Sequence, residues 1–296
     1  MIEGVPGRAA RWIHEAVRRG FWRPILRLQR LKPRGWVSLW AIGMLPFAAL
    51  CFGCRSPLQD NRLVVGMELS YPPFEMTDAR GTPSGVSVDL ACSLGEYLGR
   101  DIVIENIPFD GLIPALKTGK IDVVISSMTA TEERRSSIDF SEPYVRTGLS
   151  LLVGVQSDIR SIKDVDRPGK TVAVKKGTTG HAYAARHLLS ARLLVLDKET
   201  ACVLEVIQGK ADAFIYDQMS IYRNWRRNRE TTRPVLEAFQ EEFWAMGVRK
   251  GNEPLLGRIN EFLKVFRQSG GFDRLAERYL AEERETFHRL GTRFIF

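Results

Sequence analysis

From residue 63 onward, short apolar runs alternate with amphipathic stretches, and turn residues separate them. Leu63-Val64-Val65-Gly66-Met67 is an apolar run that reads as a buried strand leading to Glu68. Tyr71-Pro72-Pro73-Phe74 is a rigid turn that fixes an aromatic beside that strand end. Positions 88–98 carry apolar residues at helical spacing closed by Gly99, and 102–105 return to a strand pattern. Phe109-Asp110-Gly111 leads into a helix at 112–117, and Gly119-Lys120 precedes a second buried run at 121–125. The alternation resumes with strands at 148–153, 170–174, 193–196 and 211–217, and with helices from about 181 and at 201–208. Residues 224–233, NWRRNRETTR, read as a solvated helix end and loop. Apolar character returns at 243–249, ahead of helices at 254–268 and 272–281 divided by Gly270-Gly271. Strictly alternating strands and helices imply an α/β chain with mostly parallel sheets covered on both faces. Ligands of such sheets bind beyond the carboxyl ends of the strands, where Glu68, Ser126 and Ser127 fall.

Composition adds little until it is mapped along the chain. The 296 residues suffice for one large domain or two medium ones, and 44% hydrophobic with 26% charged residues is ordinary for a globular protein. The net charge of +8 invites a nucleic-acid reading. Residues 1–53, however, hold nine Lys/Arg against Glu3 and Glu15, which leaves the body nearly neutral. A nucleic-acid surface on the folded part is therefore not expected. Residues 35–53 carry no charge and end on Gly53, followed by Cys54. A basic flank, an apolar core and a small residue before a cysteine describe a bacterial lipoprotein export signal, with Cys54 as the lipidated residue. An uncleaved membrane anchor is the alternative, because the uncharged stretch nearly spans a bilayer. Both readings put the body in the periplasm or cell envelope, attached to a membrane. With Cys51 removed and Cys54 lipidated, Cys92 and Cys202 are expected as buried free thiols rather than a disulfide. The four histidines are scattered, and no cofactor or metal is expected.

The densest chemistry lies at 121–144. The strand run ends on Ser126, Ser127 and Thr129, small hydroxyl residues that leave backbone N–H groups reachable. Thr131 reads as an N-cap with Glu132 and Glu133 in the first helical turn, and Arg134 stands one turn in. Hydroxyls, amides, a helix start and a guanidinium converging on one spot can receive a carboxylate. A solvated helix start with one surface arginine fits the same residues. Lys175-Lys176-Gly177-Thr178-Thr179-Gly180 offers a second small polar cradle, without the spacing of a phosphate-binding Walker loop.

The stretch GKIDVVISSMTATEERRSSIDFSEPY resembles the signature of bacterial extracellular solute-binding proteins of family 3, the polar amino-acid receptors of ABC importers. The resemblance covers about residues 63–280. It implies a two-lobed, type II periplasmic-binding-protein fold with a two-strand hinge. The expected division is a leader at 1–53, a linker at 54–62, the first lobe at 63–145, the second at 146–244, and a return to the first at 245–296. The resemblance assigns Arg134, helped by Ser127 and Thr129 and loosely by Ser126, to a ligand's α-carboxylate, and Asp217 to its α-amino group. Tyr71 and Phe109 match the aromatic positions around the ligand side chain, and Thr179 matches a second-lobe contact. Glu68 and Lys175 match positions facing the distal end of the ligand. An acid and a base together suit an amide, so glutamine is expected first, with arginine or lysine as the alternative. If Glu68 and Lys175 pair with each other, other polar amino acids stay open. The implied partners are a polar amino acid and membrane permease subunits, with the receptor itself a monomer. A cyclohexadienyl dehydratase on the same fold is the competing function. Asp217, and the absence of an obvious extra acid in the pocket, favour a receptor over that enzyme.

Overall fold

The structure is a computed structural model that describes residues 61–289 and 295–296. The leader, Cys54 and Phe294 lie outside the described residues. In chain order the first elements are β1 (Arg62–Met67), β2 (Ser70–Tyr71), β3 (Glu75–Thr77), β4 (Pro83–Ser84) and α1 (Val86–Leu98). Next come β5 (Asp101–Asn106), α2 (Leu112–Thr118), β6 (Val123–Val124), α3 (Glu132–Arg135) and β7 (Ile138–Phe140). The chain continues through β8 (Val145–Gly154), β9 (Thr171–Lys175), α4 (Thr179–His187), β10 (Arg192–Leu196), α5 (Glu199–Ile207) and β11 (Ala213–Asp217). It closes with α6 (Gln218–Arg227), β12 (Thr232–Trp244), β13 (Gly247–Arg249), α7 (Glu253–Gln268), α8 (Gly271–Tyr279) and α9 (Ala281–Arg289).

Two five-stranded sheets result, in the orders β5-β1-β6-β13-β7 and β10-β9-β11-β8-β12, with β2-β3-β4 as a small antiparallel sheet. In the first sheet β5, β1 and β6 run parallel, and β13 runs antiparallel to β6 and β7. In the second, β10, β9 and β11 run parallel, while β8 is antiparallel to β11 and β12. The chain passes between the sheets twice, side by side, with Val145 in register with Trp244. The Tyr144 N–H donates to the Trp244 carbonyl at 2.9 Å, and the Ser141 N–H donates to the Met246 carbonyl at 2.9 Å. This is the two-lobed α/β fold with a two-strand hinge that the sequence led us to expect.

The elements form where their residues demand burial. Leu63, Val65 and Met67 of β1 are fully buried, as are Val172, Ala173 and Val174 of β9. Both strands run mid-sheet with helices over both faces, which explains unbroken apolar runs instead of alternation. α7 buries Ile259, Phe262, Leu263 and Phe266, a one-face spacing worth about 1.5–3 kcal/mol for each large side chain. Cys92 on α1 is half-buried and Cys202 on α5 is buried, and both are free thiols.

Two expectations are corrected. The run at 121–125 is ladder-paired only at Val123–Val124. The polar run at 224–233 does end α6 and turn, but residues 232–242, not expected to be extended, form most of β12. β12 is an edge strand, where charged residues and Pro234 are tolerated because one side needs no ladder partner. After α8 the chain forms a further helix, α9, whose Phe287 is buried edge-on to Tyr222 of α6, 5.6 Å between centroids. Ile295 is buried and the Phe296 ring lies 5.3 Å from Phe272, so the described end of the tail docks on the body.

Candidate ligand-binding cleft

β6 delivers the chain to Ser126 and Ser127 at the carboxyl edge of the first sheet. Ser127 takes the left-handed conformation, φ 47°, which is uncommon without glycine. Its hydroxyl donates to Glu75 at 3.0 Å. Ser126 Oγ accepts the Glu68 N–H at 3.0 Å and also reaches Glu75, at 3.4 Å. Thr131 caps α3, its Oγ1 accepting the Arg134 N–H at 3.2 Å. That cap turns the Arg134 side chain back over the strand end. Nη1 donates to the Thr129 carbonyl at 2.7 Å, and Nη2 crosses to the Gly177 carbonyl at 3.0 Å on the β9–α4 turn of the second sheet. The guanidinium stands 5.3 Å from the centre of the Phe109 ring. Burial lowers its pKa, opposed chiefly by the charge of Glu242.

The second sheet supplies the opposite wall. Gly177 has φ 74°, a left-handed turn that suits glycine, and Thr178 caps α4 by accepting the His181 N–H at 3.3 Å. A Cβ on Gly180 would stand 2.9 Å from the Ile215 carbonyl oxygen, so glycine lets the α4 start lie directly on β11. β11 ends at Asp217, which caps α6. Its Oδ1 accepts the Met219 and Ser220 N–H groups, each at 3.1 Å, and the Tyr71 hydroxyl at 2.7 Å. Burial pushes the Asp217 carboxyl up to about 7, against the pull of the Tyr71 hydrogen bond. Tyr71 stacks on Phe74 at 5.4 Å and meets Trp244 edge-on at 6.0 Å.

Nine of the ten positions singled out in the sequence line this one cleft: Glu68, Tyr71, Phe109, Ser126, Ser127, Thr129, Arg134, Thr179 and Asp217. Lys175 does not line it. It is 3% exposed, its ammonium forms an ion pair with Glu68, and it lies 5.6 Å from the Phe109 ring centre. Of the two arrangements left open for Glu68 and Lys175, the structure has the paired one.

The expectation of no further acid is overturned, because Glu75 and Glu242 both line the cleft. Glu75 accepts the Ser87 hydroxyl at 2.6 Å, and burial raises its carboxyl to about 8, opposed by its serine hydrogen bonds. Glu242 accepts the Thr129 hydroxyl at 3.0 Å. Tyr216 and Trp244 complete the aromatic lining. Glu75 follows the Tyr-Pro-Pro-Phe turn directly, a signal that reading could have used. Glu242 and Trp244 depend on a strand that the sequence pattern did not reveal.

The arrangement can hold a small zwitterion: a half-buried cation and a buried acid, beside different sheets, face one aromatic-walled space. Residues 63–282 match the bacterial extracellular solute-binding proteins, family 3, and the chain belongs to that family. The L-cystine-binding protein TcyJ of Escherichia coli is 28% identical over 75% of this chain and 83% of its own length. The ancestral amino acid-binding protein AncCDT-1, a precursor of cyclohexadienyl dehydratase, is 34% identical, with a TM-score of 0.69 over 74% of this chain and 95% of its own. An ancestral arginine-binding protein, solved with arginine and with glutamine, is also 34% identical, covering 74% of this chain and 98% of its own, with TM-scores of 0.70 and 0.69.

Proposed function

We propose that this protein captures a polar L-amino acid between its lobes and delivers it to the permease of an ABC importer. The observation that carries this reading is the opposition of Arg134 and Asp217 across the cleft. Arg134, with Ser127, Thr129 and Thr179, would take the α-carboxylate, and Asp217 the α-ammonium. Only the closed arrangement engages both, so ligand binding favours closure. Tyr71 and Phe109 would flank the side chain, with Ser126 at its edge. The lobe boundaries drawn above, 63–145 with 245–296 against 146–244, are part of the proposal. So is export with membrane attachment through Cys54, which is tested by loss of fatty-acid labelling in Cys54→Ser.

Glutamine is the first-choice ligand. Lys175 reaches the ligand through Glu68, whose charge it neutralises, and a neutral pair at the distal end suits an amide more than a second cation. Glu75, with its carboxyl raised to about 8, adds a group able to donate and accept there. A second reading, arginine or lysine, draws on the four lining acids, Glu68, Glu75, Asp217 and Glu242, against Arg134. Those same acids are why the dehydratase alternative is worth one assay with arogenate. Turnover there would replace the receptor reading. A thermal-shift screen of the standard amino acids, followed by calorimetry with L-glutamine and L-arginine, decides the rest. A ligand at a hundredfold excess over its dissociation constant stabilises the fold by about 2.7 kcal/mol. If no amino acid shifts the transition, the receptor reading fails.

A further inference from the structure

Glu242 lies on β12, two residues before the strand's end at the hinge, and is 3% exposed. Its carboxylate is fully engaged within the cleft. Oε2 accepts the Thr129 hydroxyl at 3.0 Å, the Thr179 hydroxyl donates to it as well, and Oε1 accepts the Gln240 amide at 3.2 Å. After burial, its charge is the leading influence on the Arg134 guanidinium. Thr129, Thr179 and Arg134 are the groups assigned above to a ligand's α-carboxylate. Glu242 therefore occupies the two threonine hydroxyls assigned to the ligand's carboxylate and acts on Arg134 through its charge.

We propose that Glu242 is an internal competitor for the carboxylate subsite, which an incoming amino acid must displace or find protonated. This rests on the receptor reading of the cleft and adds a residue that sets its affinity. Two carboxylates cannot share Thr129, Thr179 and one guanidinium without repulsion, so bound ligand favours a protonated Glu242. Burial already holds the Glu242 carboxyl above the ordinary range. The affinity cost of Glu242 consequently shrinks as pH falls and its carboxyl takes up a proton.

Other groups face the same space and act on the same measurement. Asp217 works in the opposite sense, since a ligand ammonium would draw its carboxyl down from about 7 and release a proton. Tyr216 lines the wall between them. Thr147 of β8 is the register partner of Glu242, and the neighbouring Arg146 is paired with Glu241. On the α4 side, His181 Nδ1 accepts the Gly177 N–H at 3.4 Å, and on α3, Glu133 is paired with Arg186. Replacing Glu242 alone separates its contribution from theirs.

The test is calorimetric titration of the full chain with L-glutamine and L-arginine at about pH 5.5 and about pH 7.5, for the parent, Glu242→Gln and Arg134→Ala. Glu242→Gln keeps the shape and removes the charge, and is expected to bind roughly tenfold tighter than the parent at the higher pH, with the advantage shrinking at the lower. Glu242→Ala should move affinity in the same direction, which guards against a misfolded first variant. Equal or weaker binding by both variants at the higher pH overturns the proposal. Weaker binding would instead join Glu242 to Asp217 at the ammonium. If Arg134→Ala abolishes binding while Glu242→Gln gains nothing, only this inference falls. If Arg134→Ala binds like the parent, or neither probe binds any of the proteins, the carboxylate reading of the cleft falls with it.

Discussion

Arg134 is aimed before a ligand arrives, because two backbone carbonyls from opposite walls hold its guanidinium. Preorganisation of this kind concentrates binding energy in one side chain. Arg134→Ala is expected to weaken amino-acid binding by about 2–5 kcal/mol with an unchanged circular-dichroism spectrum. Arg134→Lys should rescue little, since an ammonium lacks the planar fork. Lys175 acts one step further away. Lys175→Leu would leave the Glu68 charge uncompensated, and preference should swing toward arginine by about 1–3 kcal/mol in calorimetric titrations with both ligands. An unmoved ratio would remove the Glu68–Lys175 pair from the specificity argument. Glu75 carries a pH dependence of stability. Its carboxyl is raised from an ordinary 4.5 to about 8 by burial, so between those values the native chain holds a proton that the unfolded chain has lost. The contribution is full below about pH 4.5 and is lost as pH rises through about 8. Urea midpoints should fall between about pH 6 and about pH 9, and Glu75→Gln should flatten that decline.

At the scale of elements, the cleft is built by short pieces that place backbone groups. α3 is a single turn, held by the Thr131 cap and too short to persist by propensity alone. Thr131→Ala should lower stability by about 1 kcal/mol and weaken binding further by loosening the aim of Arg134. α4 depends on the absence of a side chain at Gly180, where a Cβ would meet a backbone oxygen that cannot step aside. Gly180→Ala is expected to destabilise by about 1–3 kcal/mol and to draw Thr179 away from the cleft, seen as a larger loss in affinity than in stability. The thermal transition with and without ligand separates the two. Elements with a full apolar face, such as α1 and α7, were legible from spacing alone. β12 was not, because an edge strand with Pro234, Glu237 and Glu241 carries neither a clean alternation nor an apolar run.

At the scale of the whole molecule, the cleft is closed by contacts between the two sheets' structures. Tyr71 meets Asp217, Glu68 meets Lys175, Thr129 meets Glu242, and at the rim Lys176 meets Asp110 at 2.9 Å. The exposed pairs add little, while the buried ones select a particular closed geometry. On another face, α9 ties the two halves together. It packs on α8, and Glu283 receives Arg223 of α6 at 3.0 Å beside the Phe287–Tyr222 contact. Phe287→Ala should therefore lower stability by about 3–5 kcal/mol in urea denaturation, although most of α9 lies beyond the family match. A loss under about 1 kcal/mol would show that α9 merely rests on the surface.

By itself the sequence determined what is local. Apolar runs named most strands, helical spacing named the long helices, and a threonine three residues before Arg134 announced the cap that aims it. Such relations span one turn or one strand, and their physics is complete within that span. Which charges become neighbours was decided only by the tertiary structure. Lys175 and Glu68 are 107 positions apart, Thr129 and Glu242 are 113, and Tyr71 and Asp217 are 146. Those pairings depend on how two sheets face each other across a hinge, and burial there shifts each group's charge state. No pattern within a single element carries that information, which is why Glu242 emerged as a cleft residue only once the two walls stood opposite each other.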